Sequence, residues 1–213
     1  MKAMLFTLLA LVLTTSIMFA GTPMTSQGDK ALSFTINGLG SFDVSGVNSA
    51  SVPGYGTLYG VGGKYFISQD MAFRAVVSFN NSSTTTKSTD PVGDNKSTYT
   101  AIGFAPGLEW HMAAAGAVSP YWGLMANFGW AKNAYTPAGG TESNSSGTTF
   151  GAAALLGAEW YAWDGVSFNA EYQLGFNSSS TKSEAGGTST DGPSYTNFGI
   201  QSWALGINLY LGH

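Results

Sequence analysis

The sequence predicts an all-β fold, an eight-stranded antiparallel up-and-down transmembrane β-barrel, and three observations predict it. Segments throughout the 213 residues alternate apolar and polar side chains, which point to opposite faces of a strand in turn. Charged residues make up only 9% of the chain, against about 25% in ordinary soluble domains. Long and short connections alternate, which places the long loops at one end of a barrel and the tight turns at the other.

The first three strands are predicted at residues 32–44, 55–67 and 71–80. In the first, Phe34 and Ile36 share one face and hydroxyl and amide side chains share the other. The second has a weaker pattern, because Phe66 falls on its polar side. In the third, Phe73 lies on the apolar face and Arg74 on the polar face. Each segment therefore has one apolar face and one polar face.

The next three strands are predicted at residues 98–111, 120–132 and 150–163. Their apolar faces carry aromatic and aliphatic residues such as Ile102, Leu124 and Leu156, opposite glycines and a few carboxylates such as Glu109. Pro106 lies within the fourth strand, where it is expected to remove one ladder hydrogen bond. These strands repeat the two-faced pattern of the first three.

The seventh strand, at residues 166–177, has the clearest pattern, since Phe168 and Tyr172 belong to an unbroken alternation. Twelve residues of tilted strand cover about 30 Å, which is the hydrocarbon thickness of a bilayer. The eighth strand, at residues 195–211, has Phe198 and Ile200 on the wrong parity. A β-bulge, or emergence above the membrane, is expected there.

The predicted connections differ in length and composition. Long ones rich in Ser, Thr, Asn and Gly are expected at residues 45–54, 81–97, 133–149 and 178–194. Short ones are expected at residues 68–70, 112–119 and 164–165. An even number of strands puts both chain ends on the side of the short turns.

Three parts of the chain are predicted: a signal peptide at 1–20, a short N-terminal periplasmic segment at 21–30 and the barrel domain at 31–213. Lys2 precedes an apolar run, and Ala20 offers a cleavage site; an uncleaved anchor helix is the alternative. With Lys2 removed, 7 of the 8 basic residues remain against 12 acidic ones. No basic patch exists, so nucleic acid is not an expected partner.

Aromatic residues on the apolar faces fall near the two ends of the strands, as expected for girdles at the membrane–water boundaries. Those toward the turns are Phe73, Trp110, Trp122, Trp160 and Phe168, and those toward the long loops are Phe42, Phe79, Trp130, Phe150 and Phe176. Packing in the core of a soluble, secreted ligand-binding barrel is the alternative interpretation.

The polar faces carry few charges, and these fall within a few residues of a short turn. They are Lys64, Arg74, Glu109, Glu159 and Glu171. Two cations and three carboxylates at one height can pair, and buried charges need such pairing. We predict a belt of ion pairs that closes the lumen; the alternative is a selective constriction in a small pore.

Catalytic and cofactor chemistry is not expected. The two histidines, His111 and His213, lie beside a turn and at the last position, away from the outer loops where a nucleophile would need a general base. The chain has no cysteine, and no metal-ligand cluster or phosphate-binding loop is apparent.

The chain resembles the small outer-membrane β-barrel family of the OmpA/OmpX and opacity-protein type. The resemblance rests on residues 60–66 (GVGGKYF) with the turn at 68–70, on residues 119–123 (SPYWG), and on residues 206–211 (GINLYL). In that family the last strand carries an aromatic signal for the barrel-assembly machinery. The likeness implies such a C-terminal signal at Gly206, Leu209, Tyr210 and Leu211, although Gly212 and His213 follow and a terminal Phe is absent.

The resemblance implies a monomer in outer-membrane lipid, assisted during biogenesis by periplasmic chaperones and the assembly machinery, with no cofactor. Family activities include adhesion, membrane integrity and minor permeability, so the fold does not fix the function. The first hypothesis is a non-enzymatic barrel whose loops serve envelope structure or contact with an extracellular ligand. The second is a narrow porin-like channel for small solutes.

Overall fold

A computed structural model describes residues 21–37, 59–87 and 93–211 of the chain. The predicted signal peptide at 1–20, the loop at 45–54, Phe42 and His213 lie outside these ranges. Within them, no helix has the length and apolar character needed to cross a membrane.

The described residues form eight antiparallel strands in one closed ring. Each strand pairs with its neighbours in chain order, and β1 also pairs with β8. The strands are β1 (Lys30–Asn37), β2 (Tyr59–Phe66), β3 (Met71–Thr86), β4 (Asn95–His111), β5 (Val118–Thr136), β6 (Ser143–Trp163), β7 (Val166–Ala185) and β8 (Thr188–Tyr210). The predicted eight-stranded up-and-down barrel is therefore confirmed.

The two faces of the sheet are oriented as the alternation predicts. The exposed fractions of Trp122, Leu124 and Leu174 are 44%, 54% and 48%, so these apolar side chains point outward. Along β7, Glu171 and Gln173 alternate with the exposed Tyr172 and Leu174 and are buried inside the ring. Apolar groups outside and polar groups inside are the arrangement of a membrane barrel.

Two predicted irregularities are present. Gln173 pairs with Ser202 and Leu174 pairs with Ile200, so Gln201 is an extra residue and β8 has a bulge. Because of the extra residue, Phe198 points to the outer face, where it is 77% exposed. The ladder between β4 and β5 has no paired residues beside Pro106, as expected for a residue without an N–H group.

The predicted long loops are mostly wrong, because the strands continue into them. β7 continues to Ala185 and β8 begins at Thr188, so a turn of two residues replaces the loop predicted at 178–194. Gly186 and Gly187 both have positive φ, which a tight hairpin turn of this kind requires. β5 and β6 leave only 137–142 between them, and β3 and β4 reach Thr86 and Asn95.

At the other end the connections are short, as predicted. They comprise 67–70, 112–117 and 164–165. Gly165 has a φ of +79° in the tightest of them, a conformation that side chains rarely adopt.

The outer face of β6 shows where the apolar band begins and ends. From Phe150 to Trp160 every outward residue is apolar, whereas Thr148 and Ser146 lie beyond Phe150. Strands tilted by about 40° cover about 25 Å over this stretch, the height of the lipid-facing band of outer-membrane barrels. The hairpins β3–β4, β5–β6 and β7–β8 therefore extend beyond the membrane as paired strands.

Candidate functional site: a charged belt across the lumen

The charged side chains inside the barrel join opposite walls. Arg74 on β3 and Glu171 on β7 make two contacts, Nη1 to Oε2 at 2.6 Å and Nη2 to Oε1 at 2.8 Å. Because β3 and β7 are four strands apart in a ring of eight, this ion pair spans the lumen.

A second ion pair spans the lumen in the same way. Lys64 Nζ on β2 lies 2.9 Å from Glu159 Oε2 on β6, again four strands away. Glu109 on β4 links the two pairs, at 2.7 Å from Lys64 Nζ and 2.7 Å from Arg74 Nη1. The five residues of the predicted belt thus form one network, which we call the charged belt.

Neutral side chains supply the remaining hydrogen bonds of the carboxylates. The hydroxyl of Tyr121 and the amide of Gln173 donate to Glu171, at 2.9 and 2.8 Å. Glu159 accepts from the Asn208 amide at 2.7 Å and from the Tyr210 hydroxyl at 2.9 Å, and also from Ser167. Glu109 and Glu159 are fully buried, so these bonds offset the large cost of removing charge from water.

His111 joins the belt on its turn side and makes a contact pattern that resembles a hydrolase triad. Its Nδ1 lies 2.9 Å from Ser119 Oγ and its Nε2 lies 3.3 Å from Glu109 Oε2. In hydrolase triads the serine contacts Nε2 and the carboxylate contacts Nδ1, whereas in this protein the two nitrogens are exchanged. Here Ser119 is fully buried and Glu109 already binds two cations, so the three residues belong to the ion-pair network.

Glycines opposite the large inner side chains give them room. A Cβ at Gly157 would lie 2.5 Å from Cζ of Tyr121 and 2.7 Å from its hydroxyl oxygen. A glycine at 157 therefore leaves room for the Tyr121 side chain, whose hydroxyl reaches Glu171. Gly206 makes similar space for Asn169.

Little empty volume remains among these groups. The cavity bordered by Lys64, Arg74, Glu109 and Asn208 measures about 10 Å³, which is about the space that one water molecule needs. Nε of Arg74 is buried and has no hydrogen-bond partner among the described residues.

Below the belt an apolar cluster covers the turn-side end. Phe66, Tyr161 and Tyr210 pack together there with Ala31 and Ala72. The N-terminal segment 21–29 crosses this end and places Met24 against the cluster. Its backbone is bonded from the Gly21 nitrogen to the Tyr161 oxygen at 3.0 Å and from the Gly28 nitrogen to the Phe66 oxygen at 2.9 Å.

Residues 7–208 match the model of the outer membrane protein beta-barrel domain family. The chain belongs to this family. It is a protein of the bacterial outer membrane, and the membrane lipid surrounds its apolar band. No sequence among the curated proteins matches the chain.

Among solved structures, a major outer membrane protein from Thermus thermophilus is 10% identical, with a TM-score of 0.50 over 86% of this chain and 99% of that one. Ail, the attachment invasion locus protein of Yersinia pestis, is 13% identical, with a TM-score of 0.44 over 87% and 99%. The outer membrane protein AlkL is 16% identical, with a TM-score of 0.48 over 91% and 95%. At an identity of 10%, the likeness to the Thermus protein supports the fold and no statement about function.

The outer-membrane barrel carries its predicted girdle residues on the outer face. Trp110 stacks on Trp122 with ring centroids 4.5 Å apart, and Trp160 stacks on Phe168 at 5.8 Å, both toward the turns. Phe73 is exposed near the same end. Trp130 and Phe176 are exposed toward the hairpins, so outward aromatic rings are present near both ends of the strands.

The residues of the predicted assembly signal divide between the two faces. Leu209 and Leu211 are exposed on the outside, whereas Gly206 and Tyr210 are buried inside. The Tyr210 hydroxyl belongs to the hydrogen bonds of Glu159. Tyr210 therefore also makes a contact inside the barrel, which is separate from its predicted role in the assembly signal.

The neutral and histidine partners of the five charged residues were not predicted as members of the belt, and Tyr121, His111 and Tyr210 are examples. Tyr121, His111 and Tyr210 share the parity of the inward residues beside them, so the alternation placed them inside. Their contacts with Glu171, Glu109 and Glu159 depend on which strands face each other across the ring.

Proposed function

We propose that this protein is a non-enzymatic outer-membrane barrel with a closed lumen, which serves envelope structure or surface contact through its long hairpins. The observation that carries the proposal is the pairing of Arg74 with Glu171 and of Lys64 with Glu159 across the ring. Side chains from opposite walls that meet at hydrogen-bonding distance leave no room for a hydrated solute between them.

The chemistry of the described residues supports a non-enzymatic role. Ser119, His111 and Glu109 are buried within the belt, where Glu109 is already paired with two cations. In the ranges that the structure describes, no three His, Asp or Glu side chains are arranged to hold a metal ion. Exposed polar side chains continue along the hairpins beyond the apolar band, and in barrels of this kind the longer connections face the outside of the cell.

The second candidate, a narrow channel for small solutes, is separated from the first by conductance in planar bilayers. We expect the wild-type protein to give no steady single-channel steps. The double variant Arg74→Ser, Glu171→Ser removes one charge of each sign from the belt and is expected to give small steps. The matched control, Lys132→Ser with Glu184→Ser, removes one charge of each sign from the outer face and should stay silent.

Steady, resolvable steps from the wild-type protein would contradict the closed lumen and favour the channel. Heat-modifiable migration on a gel shows in each case that the inserted protein is folded. A wild-type protein without conductance, together with a conducting belt variant, supports the charged belt as the feature that closes the lumen.

We further propose that residues 1–20 are removed as a signal peptide and that the monomer is inserted by the assembly machinery through its last strand. The outward side chains of Leu209 and Leu211 are available for that recognition. Mass spectrometry of the mature protein from membranes should find Gly21 at the N-terminus. A mature chain that begins elsewhere would contradict this cleavage site.

A further inference from the structure

The strands beyond the apolar band differ in charge between their two sides. On the outer side of β4, β5 and β7 lie Lys96, Lys132, Lys182 and Glu184. On the inner side of β3–β8 at this height, the described residues are Ser, Thr, Asn, Gly, Ala and Tyr, without an ionised side chain. We call this inner side the inner hairpin face.

Two tyrosines face each other across this space. Tyr99 lies on β4 and Tyr195 lies on β8, which are four strands apart in the ring and therefore on opposite walls. Tyr99 is three residues beyond Ile102, and Tyr195 is three residues beyond Phe198, the last large apolar outward residues of their strands. The two rings therefore stand at the same height above the apolar band.

An amide and a third ring lie next to Tyr99. Asn133 on β5 pairs directly with Tyr99, and Tyr135 follows two residues later on the same side. The Ser97 hydroxyl donates to Oδ1 of Asn133 at 3.3 Å, which directs the amide within the sheet. Tyr135 and Tyr195 remain 44% and 48% exposed and Tyr99 is partly exposed, so the rings are accessible to a ligand.

This combination fits one class of ligand. Tyrosine rings present a flat apolar face with a polar edge, and amide and hydroxyl groups supply hydrogen bonds that orient a ligand. A sugar ring has complementary groups, namely an apolar C–H face and a rim of hydroxyls. A charged ligand would lose hydration without gaining a partner on this face.

We propose that the inner hairpin face binds a neutral oligosaccharide, with sugar rings stacked on Tyr99 and Tyr195 and hydrogen-bonded by Asn133. The proposal rests on the proposed role in surface contact and names the chemistry of the ligand. Binding takes place above the charged belt and does not require passage through the lumen.

Calorimetry of the folded barrel, in a detergent without a sugar headgroup, tests the proposal. The probes are maltohexaose and N-acetylated chitohexaose as neutral oligosaccharides and hexagalacturonate as an acidic one. We expect at least one neutral probe to bind and the acidic one to bind about tenfold more weakly or not at all. The variants Tyr99→Ala and Tyr195→Ala should each weaken binding about tenfold.

The matched control is Lys132→Ala, which alters the residue next to Asn133 but on the outer side, and should leave binding unchanged. The proposal is overturned if neither neutral probe binds, if hexagalacturonate binds as tightly as they do, or if the tyrosine variants bind like the wild type. Heat-modifiable migration identifies a variant that has not folded. Conductance measurements remain independent, so a failure of this proposal is distinct from a failure of the closed lumen.

Discussion

Arg74 and Glu171 are joined by two hydrogen-bonded contacts, at 2.6 and 2.8 Å, from opposite walls of the barrel. A planar guanidinium and a carboxylate fit each other best in this two-point geometry. Since Glu171 also accepts from Tyr121, the contact links β3, β5 and β7 through one carboxylate. The Arg74–Glu171 contact therefore stabilises the ring and lies across the lumen.

Replacement of Arg74 should strongly destabilise the barrel. Arg74→Ala leaves Glu171 and part of Glu109 buried without a cation, which costs about 3–5 kcal/mol for a broken buried pair. The free energy of unfolding in lipid vesicles, followed by heat-modifiable migration across a denaturant series, measures the loss. Lys132→Ala on the outer face is the control and should change it by less than about 0.5 kcal/mol. An Arg74→Ala protein as stable as that control would disprove a structural role for the belt.

The glycine at 157 should be required for the position of Tyr121. Gly157→Ala places a Cβ 2.5 Å from Cζ of Tyr121 and should cost about 1–3 kcal/mol through overpacking. Gly63→Ala on β2 is the matched control, because its Cβ would meet only the Ala31 oxygen at 3.7 Å. That control should be neutral or slightly stabilising, as alanine is less flexible when unfolded. The same Cβ would lie 2.8 Å from the backbone oxygen of Ala170, so equal stability of the two variants would show that both Tyr121 and this carbonyl can move without cost.

Tyr210 has two candidate roles that one substitution separates. Tyr210→Phe keeps the aromatic ring but removes the hydroxyl that donates to Glu159 at 2.9 Å. A buried acceptor that loses a partner costs about 1–3 kcal/mol, so the folded protein should be less stable, while the amount assembled in cells stays the same. Leu209→Asn, on the outward side, should instead reduce the amount assembled. A Tyr210→Phe protein of unchanged stability would argue against the bond to Glu159.

The position of the apolar band predicts how a charge on β6 is tolerated. Leu156 is 63% exposed near the middle of the band, and Leu156→Arg should cost about 2–4 kcal/mol in the bilayer. Thr148→Arg lies on the same strand and face but beyond Phe150, where the cost falls to about 0–1 kcal/mol. Unfolding in lipid vesicles compares the two. A similar cost at both positions would contradict the placement of the band.

The eight strands within the band could be predicted because their two faces differ in chemistry. Even the bulge in β8 was visible as a change of parity at Phe198. The continuation of the strands beyond the band was not predicted, because residues on both sides of those segments are polar. Ser178 on the outside and Ser179 on the inside give no contrast, so a paired strand and a loop have similar sequences there.

The contacts within the charged belt also could not be predicted from the sequence. Alternation indicated that Lys64, Arg74 and the three glutamates point inward, since that depends only on neighbours along the chain. It did not indicate that Arg74 meets Glu171, because this depends on which strand lies opposite after the ring has closed.

The sequence alone thus determined which side chains face lipid and which face the lumen, because the direction of a side chain on a strand alternates with every residue. Only the tertiary structure decided which inward groups meet and at what height, because partners on β2 and β6 or on β3 and β7 are brought together by closure of the sheet. The same closure gave Tyr210 a carboxylate partner and set Tyr99 opposite Tyr195.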